Sequence, residues 1–258
     1  MIRLRTPSAS TAADRARAKR RFDLAAALVL LLPLGPLMAA IALLLLAVQG
    51  RPVFFASERM RGPDAGFTLW KFRTMRPALG GPGVTGGHVA ARVTAAGRVL
   101  RRLRLDELPQ LWNVIRGDMS LVGPRPPVRA VVERFPETYR EVLATLPGVT
   151  GFATVMFHRR EAAIMAPCRT ESEAALTYGR RCVRPKAAYD RFYARRSCLS
   201  LDLAIIAATV AGGLRRGRVR PVRSGMRVAV PAGFGRSRGP ARPPQRAPAR
   251  RGGSAVAG

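Results

Sequence analysis

The sequence predicts a mixed α/β fold, mostly α with one small β-hairpin, behind an apolar N-terminal helix. Residues 24–48 contain no charged side chain, and a run of 25 residues is long enough to enter a bilayer. Downstream, two short segments rich in aromatic and β-branched residues flank a Gly/Pro turn, which is typical of a hairpin. Much of the remainder shows apolar residues at helical spacing. A chain of 258 residues then accommodates one globular domain with appendages.

The charge balance indicates anionic partners. The chain has 45 Lys and Arg against 15 Asp and Glu, a net charge of +30. Such a surface suits phospholipid headgroups, nucleic acid or phosphorylated substrates, and it says nothing about the fold. The three cysteines lack the spacing of a metal or redox site, which predicts a reduced domain on the cytoplasmic side. We expect Cys168, Cys182 and Cys198 to be packed as small apolar residues.

The apolar run follows a basic segment, residues 1–23, with seven bases and two acids. A signal peptide is a minor alternative, because the run exceeds the usual apolar core and no convincing cleavage site precedes Arg51. Pro33 and Pro36, near the middle of the run, predict a bend. Both flanks are basic, and the positive-inside rule favours keeping basic flanks in the cytoplasm. Two topologies therefore stay open, a spanning helix and a re-entrant helix that returns to the same side.

The hairpin is predicted from strands at Val53–Phe55 and Phe67–Met75, with the turn at 61–66. Lys71 and Arg73 are two residues apart on one face of the second strand, from which they could reach a diphosphate together. A solvated strand face is the alternative interpretation, since surface bases are ordinary.

A loop and a helix follow the hairpin. Residues 77–91 are rich in glycine and are expected to form a loop, with His88 on its surface. From Thr94 the spacing predicts a helix that presents Arg101 shortly before the next motif. Three apolar residues of this helix are expected to face the core: Val99, Leu100 and Leu103.

The stretch LDELPQLWNVIRGDMSLVGPRP, residues 105–126, places two adjacent carboxylates, Asp106 and Glu107, in a chain poor in acids. Apolar residues recur at helical spacing from Leu108 until Gly117, so Asp106 could be an ordinary helix N-cap. Six arginines lie nearby: Arg98, Arg101, Arg102, Arg104, Arg116 and Arg125. They could form an ion-pair network, or bind a phosphorylated ligand whose metal ion the carboxylates hold. A carboxylate can also act as the nucleophile in phosphoryl transfer.

Helices are predicted over most of the remaining chain. Pro127–Phe135 and Glu137–Leu146 form two helices broken at Pro136, and residues 186–196 form a basic helix. The segment Leu199–Val210 is apolar with a single acid and too short to span a bilayer. It is predicted to lie at the membrane interface or in the core.

The central stretch resembles the signature of the bacterial sugar transferase family, the monotopic polyprenyl-phosphate phosphoglycosyl transferases of the small membrane-anchored type. Other segments resemble family landmarks in the same order: KRRFDL, RPVFFASERM, FTLWKFRTM, RVTAAGRVLRRLRLDE, LPGVTG and SCLSLDLAII. The resemblance runs from about Lys19 to Leu214. It implies a re-entrant helix over 24–48 and a catalytic domain over 51–214 with interfacial amphipathic helices, on the cytoplasmic face of the bacterial inner membrane.

The resemblance also implies an activity, the transfer of a phosphosugar from a nucleoside diphosphate sugar, a UDP-sugar above all, to polyprenyl phosphate. Asp106 is then the nucleophile, which forms an aspartyl intermediate, and Glu107 binds Mg²⁺. The implied phosphate-binding residues are Lys71, Arg73, Arg101 and Arg125. The product would initiate exopolysaccharide, capsule, O-antigen or glycoconjugate synthesis and pass to downstream glycosyltransferases. The residues themselves do not decide which of the two acids is the nucleophile.

Two segments depart from the family pattern. Gly35-Pro36 stands where a Ser-Pro pair is common. Phe152 and His158–Arg160 follow the Pro-Gly-x-Thr-Gly motif in place of a tryptophan and a Gly-Arg-Asn run. We expect this second region to help determine which nucleotide sugar fits.

The C-terminal residues 215–258 carry twelve arginines and no acid, and they are predicted to be a disordered tail that binds anionic lipid. Together with the net charge, the tail supports a competing hypothesis, a membrane-tethered basic protein that binds nucleic acid or anionic lipid without catalysis. Such binding needs no adjacent acid pair, and the chain has no nucleic-acid motif with interleaved aromatics. We therefore expect no nucleic-acid partner.

Overall fold

The computed structural model describes residues 9–76 and 92–214, so the predicted loop at 77–91 and the tail at 215–258 lie outside the described residues. Helix α1 spans Ala9–Gln49 and continues through Pro33 and Pro36. Much of the basic segment and the whole apolar run therefore belong to one helix. In the described part of the chain, this is the one helix long and apolar enough to cross a membrane.

The predicted hairpin is confirmed, with different ends. Strand β1 (Phe54–Met60) pairs antiparallel with β2 (Gly66–Phe72), and Phe54 lies opposite Phe72. The first strand is longer than predicted and the second ends earlier. Arg73 therefore lies just beyond β2, and Met75 forms an isolated bridge with Val93.

Helix α2 (Ala95–Leu103) begins where it was predicted. Thr94 is its N-cap and accepts a 2.9 Å hydrogen bond from the Gly97 amide, which satisfies one of the free N–H groups of the first turn. Leu100 is buried, but Val99 and Leu103 are 55% and 51% exposed, so their prediction as core residues is wrong. The two exposed residues are four apart and share a helix face, which turns away from the core.

The motif around the acid pair forms two short helical pieces. A 3-10 turn covers Leu105–Glu107, and helix α3 covers Gln110–Arg116. The N-cap of α3 is Pro109, so the interpretation of Asp106 as its N-cap is wrong. Gly117 has φ of 88° and ends α3 as predicted, because glycine adopts this left-handed conformation without strain.

A second pair of strands is parallel and was not predicted. Strand β3 (Ser120–Val122) pairs with β4 (Gly148–Thr150). Three residues are too few to show a periodicity in the sequence. Between the two strands, helices α4 (Arg129–Arg134) and α5 (Pro136–Val142) are separated at Pro136, as predicted.

Four helices complete the described chain. They are α6 (Phe152–Met165), α7 (Glu171–Thr177), α8 (Val183–Arg196) and α9 (Leu199–Leu214). A single π-helical turn, Tyr178–Cys182, joins α7 to α8. The predicted basic helix thus starts three residues earlier, and the final apolar helix ends four residues later. The cysteines are free, and the prediction that all are buried is wrong for Cys198, which is exposed.

The core includes residues of α1 and of the domain that packs against it. Its largest cluster includes Ala27 of α1, residues of β2, α3, β3, α6 and α8, and Ile205 of α9. Farther along α1, Ile41 and Leu45 pack with Phe72 and Leu100 in a separate cluster. Helix α1 therefore contacts the domain at both of these positions along its length.

Polar contacts hold α1 near both ends of its apolar run, residues 24–48. Asp23 accepts hydrogen bonds from the Ser120 hydroxyl at 2.7 Å and the Leu121 amide at 3.2 Å. Arg20 donates to backbone carbonyls at the end of α3. At the other end, Arg73 donates to the carbonyls of Gln49 and Gly50, at 2.6 and 2.8 Å. These contacts tie the apolar helix to the domain that carries the acid pair.

Candidate active site

The 3-10 turn buries both of the adjacent acids in the same region of the domain. Arg104, with φ of 60°, turns the chain between α2 and this turn. Asp106 and Glu107 are then only 9% and 8% exposed. A buried carboxylate is costly unless charges or hydrogen bonds compensate it, so the surroundings of each acid determine its chemistry.

Glu107 is held by three bases. Its Oε1 accepts hydrogen bonds from Lys71 Nζ at 2.9 Å and from Arg125 Nη2 at 2.8 Å. Its Oε2 has a longer contact, 3.5 Å, with Arg104 Nη1. One carboxylate oxygen is therefore anchored by two charged donors, while the other keeps most of its acceptor capacity.

The same contacts set the protonation of this group. Burial raises the pKa of Glu107, but the charges and hydrogen bonds of Arg125 and Lys71 outweigh it, and the pKa lies well below its usual range. The charge of Glu107 raises the pKa of Arg125 in return. Burial and the nearby Arg125 charge lower the pKa of Lys71, against the pull of Glu107. Glu107 is therefore a fixed anion.

Asp106 has a different environment. Among the described residues no side chain forms an ion pair with its carboxylate or donates a hydrogen bond to it, and its donor is the backbone N–H of Asp106 itself. Burial, followed by the negative charge of Glu107, raises the pKa of Asp106, and the charges of Lys71 and Arg101 oppose that shift. Its carboxylate is thus more basic than an ordinary aspartate and is free of side-chain donors among the described residues.

Two close approaches of backbone position Arg125. Gly123 donates its amide to Thr150 O at 2.9 Å, and Gly148 donates to Pro124 O at 2.8 Å. A Cβ atom on Gly148 would lie 2.0 Å from the Gly123 nitrogen, so only glycine allows this contact. The Gly-Pro-Arg-Pro turn is thereby fixed against β4, and its arginine faces Glu107.

The structure brings together some of the predicted phosphate-binding residues and separates others. Lys71 and Arg125 contact Glu107, and Arg101 lies close enough to Asp106 for its charge to act there, with its Nε bonded to the Thr74 hydroxyl at 2.8 Å. Arg73 donates to backbone carbonyls at the C-terminal end of α1. Unlike Lys71, it therefore does not contact Glu107. Its role in phosphate binding stays a prediction.

The six arginines near the motif in sequence do not all gather around the acid pair. Arg98 donates to Val93 O, Arg116 pairs with Asp118, and Arg102 is exposed. Instead, Arg59 of β1 supplies a further, half-buried base. Burial, followed by the charge of Arg125, lowers its pKa, and the charge of Glu107 acts against that shift. Sequence reasoning missed Arg59, because its distance of 48 positions along the chain from Glu107 gives no local signal.

The donor set fits a magnesium ion that a phosphorylated substrate helps to hold. In the described residues no group of three or more His, Cys, Asp or Glu side chains could enclose a metal ion by itself. Mg²⁺ usually takes one or two carboxylates and completes its shell with phosphate oxygens and water. The adjacent acids, with Oε2 of Glu107 lightly engaged, match that requirement.

Most of the chain is similar in sequence to a known protein family. Residues 14–216 match the family model described as bacterial sugar transferase. The UDP-N-acetylgalactosamine-undecaprenyl-phosphate N-acetylgalactosaminephosphotransferase of Aeromonas hydrophila is 38% identical over 146 residues, 54% of this chain and 34% of that protein. The undecaprenyl-phosphate glucose phosphotransferase of Komagataeibacter xylinus is 40% identical over 151 residues, 55% of this chain and 28% of that protein.

A third relative has a similar length to this chain. The exopolysaccharide production protein PSS of Rhizobium leguminosarum bv. phaseoli is 33% identical over 208 residues, 78% of this chain and 96% of that protein. The chain spans only 34% and 28% of the two longer relatives. The similarity to those two proteins therefore concerns a part of each.

Proposed function

The chain belongs to the bacterial sugar transferase family, and on that premise we propose that it transfers a phosphosugar from a nucleoside diphosphate sugar to polyprenyl phosphate. The observation that carries the proposal is the asymmetry of the acid pair. Glu107 is anchored by Lys71 and Arg125, whereas the neighbouring Asp106 carboxylate accepts no hydrogen bond from a described side chain and has a raised pKa.

This asymmetry supports Asp106 as the nucleophile. A carboxylate engaged by two charged donors attacks poorly, since its lone pairs are already in use and its basicity is low. Asp106 accepts from no charged donor among the described residues and is the more basic of the two. Glu107 has the opposite properties, which suit a fixed charge that orients cations.

The reaction then has two displacements at one phosphorus atom. An oxygen of Asp106 attacks the sugar-bearing phosphorus, the bond to the bridging oxygen breaks, and the nucleoside monophosphate leaves with that oxygen. A phosphate oxygen of the polyprenyl phosphate next attacks the same phosphorus and releases the Asp106 carboxylate. The covalent intermediate divides one difficult transfer into two easier steps.

Lys71, Arg101 and Arg125 are proposed to bind the diphosphate. All three act electrostatically on Asp106 or Glu107, and the cationic groups around two acids leave positive charge for an anionic ligand. Glu107 would hold Mg²⁺, which when bound neutralises charge on the phosphate oxygens. Arg73, at the end of the apolar helix, is proposed to serve the incoming lipid phosphate.

The membrane helix is proposed to be re-entrant, with the domain on the cytoplasmic face of the inner membrane. Contacts at both ends of the apolar run of α1 support this topology: Asp23 accepts from Ser120, and the Gln49 carbonyl accepts from Arg73. A helix that spanned the bilayer would separate these two ends on opposite sides, so one domain could not hold both. The arrangement keeps the acid pair close to the depth of the lipid phosphate.

The relatives' names support a place in polysaccharide synthesis. The name of one relative includes N-acetylgalactosamine, that of a second includes glucose, and that of a third includes exopolysaccharide production. We infer a UDP-sugar donor and an undecaprenyl phosphate acceptor for this chain. Its product would be the first lipid-linked sugar, which downstream glycosyltransferases extend.

The test is the release of nucleoside monophosphate from a panel of UDP-sugars, by protein in detergent with Mg²⁺ and polyprenyl phosphate. Asp106→Asn should lower turnover by about a thousandfold or more. It should also abolish the phosphosugar adduct that mass spectrometry detects on the Asp106 peptide when the acceptor is omitted. The control is Asp64→Asn, an exposed acid in the hairpin turn.

The fold of the Asp106 variant is expected to be intact. Burial and the charge of Glu107 raise the pKa of Asp106, so the ionised form is disfavoured in the folded protein and a neutral isostere should keep or increase stability. Folded protein that releases nucleoside monophosphate from no donor would overturn the proposal. Full activity in Asp106→Asn would also overturn it.

A further inference from the structure

A second polar cluster lies within electrostatic range of Arg125 and has no role in the two displacements. It consists of Glu161 of α6, Tyr178 of the π-helical turn and Lys186 of α8. Lys186 Nζ donates to both Glu161 oxygens at 3.0 Å and to the Tyr178 hydroxyl at 3.2 Å. The same ammonium lies 5.2 Å from the centre of the Tyr178 ring. Lys186 therefore fixes the orientation of the Glu161 carboxylate.

Arg125 connects this cluster to the acid pair. The charge of Glu107 raises the pKa of Arg125 most, and the charge of Glu161 raises it further. Arg125 is thus within electrostatic range of both carboxylates. If Arg125 binds a phosphate of the donor, the ribose or sugar attached to that phosphate lies near Arg125. Glu161 is one of the groups around Arg125 that it can then reach.

A second residue on the same face of α6 as Glu161 also lies within electrostatic range of the site. His158 precedes Glu161 by three residues, and residues at this spacing share a helix face. Burial, followed by the charge of Arg104, lowers the pKa of His158, and the charge of Glu161 opposes the shift. Arg104 itself contacts Glu107. Helix α6 also begins against the turn that carries Arg125, since a Cβ on its N-cap, Gly151, would lie 2.0 Å from Gly123 O.

Glu161 has acceptor capacity that its partners do not use. An ionised carboxylate can accept about four hydrogen bonds, and the described residues supply two, both from Lys186. The Glu161 side chain is 27% exposed, against 10% for Glu107, so a ligand can reach it. Hydroxyl groups donate the hydrogen bonds that such a carboxylate accepts, and both ends of a nucleoside diphosphate sugar carry them.

Stability alone does not account for the cluster. A partly buried ion pair is often no better for stability than an apolar pair of the same shape, because desolvation offsets the attraction. In addition, Glu161 lies directly after His158–Arg160, the segment that departs from the family pattern. A residue in such a segment can distinguish the substrate of this chain from those of its relatives.

We propose that Glu161 binds hydroxyl groups of the donor, on the ribose or on the transferred sugar, and thereby determines which nucleoside diphosphate sugar reacts. This inference rests on the proposed function. Lys186 and Tyr178 act as positioning residues, since they hold the carboxylate and leave its remaining acceptor positions open.

The experiment compares kcat/KM for matched donors in the wild type and in Glu161→Gln. One donor series varies single hydroxyls of the sugar, and a second replaces uridine by 2′-deoxyuridine. The control is Glu141→Gln, which removes another inter-helix ion pair, with Arg191 of α8 at 3.0 Å. Glutamine keeps the shape and one acceptor oxygen of glutamate.

For the preferred donor, Glu161→Gln is expected to lower kcat/KM about tenfold to a hundredfold, mainly through KM, because a hydrogen bond to a charged acceptor is lost. A donor that lacks the recognised hydroxyl should react equally with wild type and variant. The series in which this happens identifies the ribose or the sugar as the bound group. Glu141→Gln should keep the wild-type discrimination.

Two results would overturn the inference. One is an equal loss with every donor, which indicates a structural role, and the other is discrimination identical to that of Glu141→Gln. If Glu161→Gln unfolds, the double variant Glu161→Gln/Lys186→Met removes both charges of the pair and decides the question by the same ratios. A wild-type protein that releases no nucleoside monophosphate from any donor would instead refute the proposed function.

Discussion

Lys19 of α1 donates a 2.6 Å hydrogen bond to Asp202 of α9 across 183 positions of the chain. Asp202 is 1% exposed and also accepts from the Tyr193 hydroxyl at 2.6 Å. Lys19 and Asp202 come from KRRFDL and SCLSLDLAII, two segments whose role the sequence did not reveal. The ion pair joins the first and last described helices next to the core.

Loss of Lys19 should destabilise the protein strongly. Lys19→Met leaves Asp202 as a buried carboxylate without its cation, which costs about 3–5 kcal/mol in the free energy of unfolding. Denaturant unfolding in detergent measures this change. Arg17→Gln is the matched control, because its partner Asp14 is exposed and such a pair contributes less than about 1 kcal/mol. Similar losses in both variants would contradict a structural role for the buried pair.

The acid limb of the pH profile should report Asp106. Asp106 attacks as a carboxylate, so kcat/KM falls as the pH drops through its pKa, which burial and Glu107 raise. The positive charge of Arg101 lowers that pKa, and Arg101→Gln should therefore shift the acid limb to higher pH. Arg102→Gln, at the exposed neighbouring position, should leave the limb in place. An acid limb that is unmoved in Arg101→Gln would refute this assignment.

Gly148 should not tolerate a side chain. A Cβ there would lie 2.0 Å from the Gly123 nitrogen, so Gly148→Ala must displace β4 from the turn that carries Arg125. We expect a loss of about 3 kcal/mol or more, in the range of severe mutations, together with reduced turnover. Gly212→Ala is the control, since its Cβ would meet nothing within 4 Å and alanine favours a helix by about 0.5–1 kcal/mol. Thermal unfolding and activity assays distinguish the two variants.

The topology of α1 can be tested with cysteine labelling. In a Cys198→Ser background, single cysteines replace Arg17 and Arg51, at the two ends of the apolar segment. A re-entrant helix leaves both residues accessible to an impermeant thiol reagent from the cytoplasmic side, in inverted vesicles, and neither from outside intact cells. Labelling of only one position from each side would indicate a spanning helix and remove the argument from the contacts of Asp23 and Gln49.

Local patterns predicted the elements that depend on neighbouring residues. The hairpin, the start of α2 at Thr94 and the end of α3 at Gly117 were all confirmed, because turn chemistry and capping act over a few positions. The same reasoning failed for Val99 and Leu103. Both are apolar and were predicted to be buried, but both are exposed. Burial of a helix face depends on which element packs against it, and a single helix does not contain that information.

By itself, the sequence determined the apolar helix, the adjacent acids, the basic surroundings and, through the order of its motifs, the family. Only the tertiary structure decided how the two acids differ. Lys71 lies 36 positions before Glu107 and Arg125 lies 18 after it, yet both bind the same oxygen. Asp106, one residue away, receives neither hydrogen bond. Adjacent residues share their local sequence but point to different surroundings, and for buried carboxylates those surroundings set charge, basicity and availability for reaction.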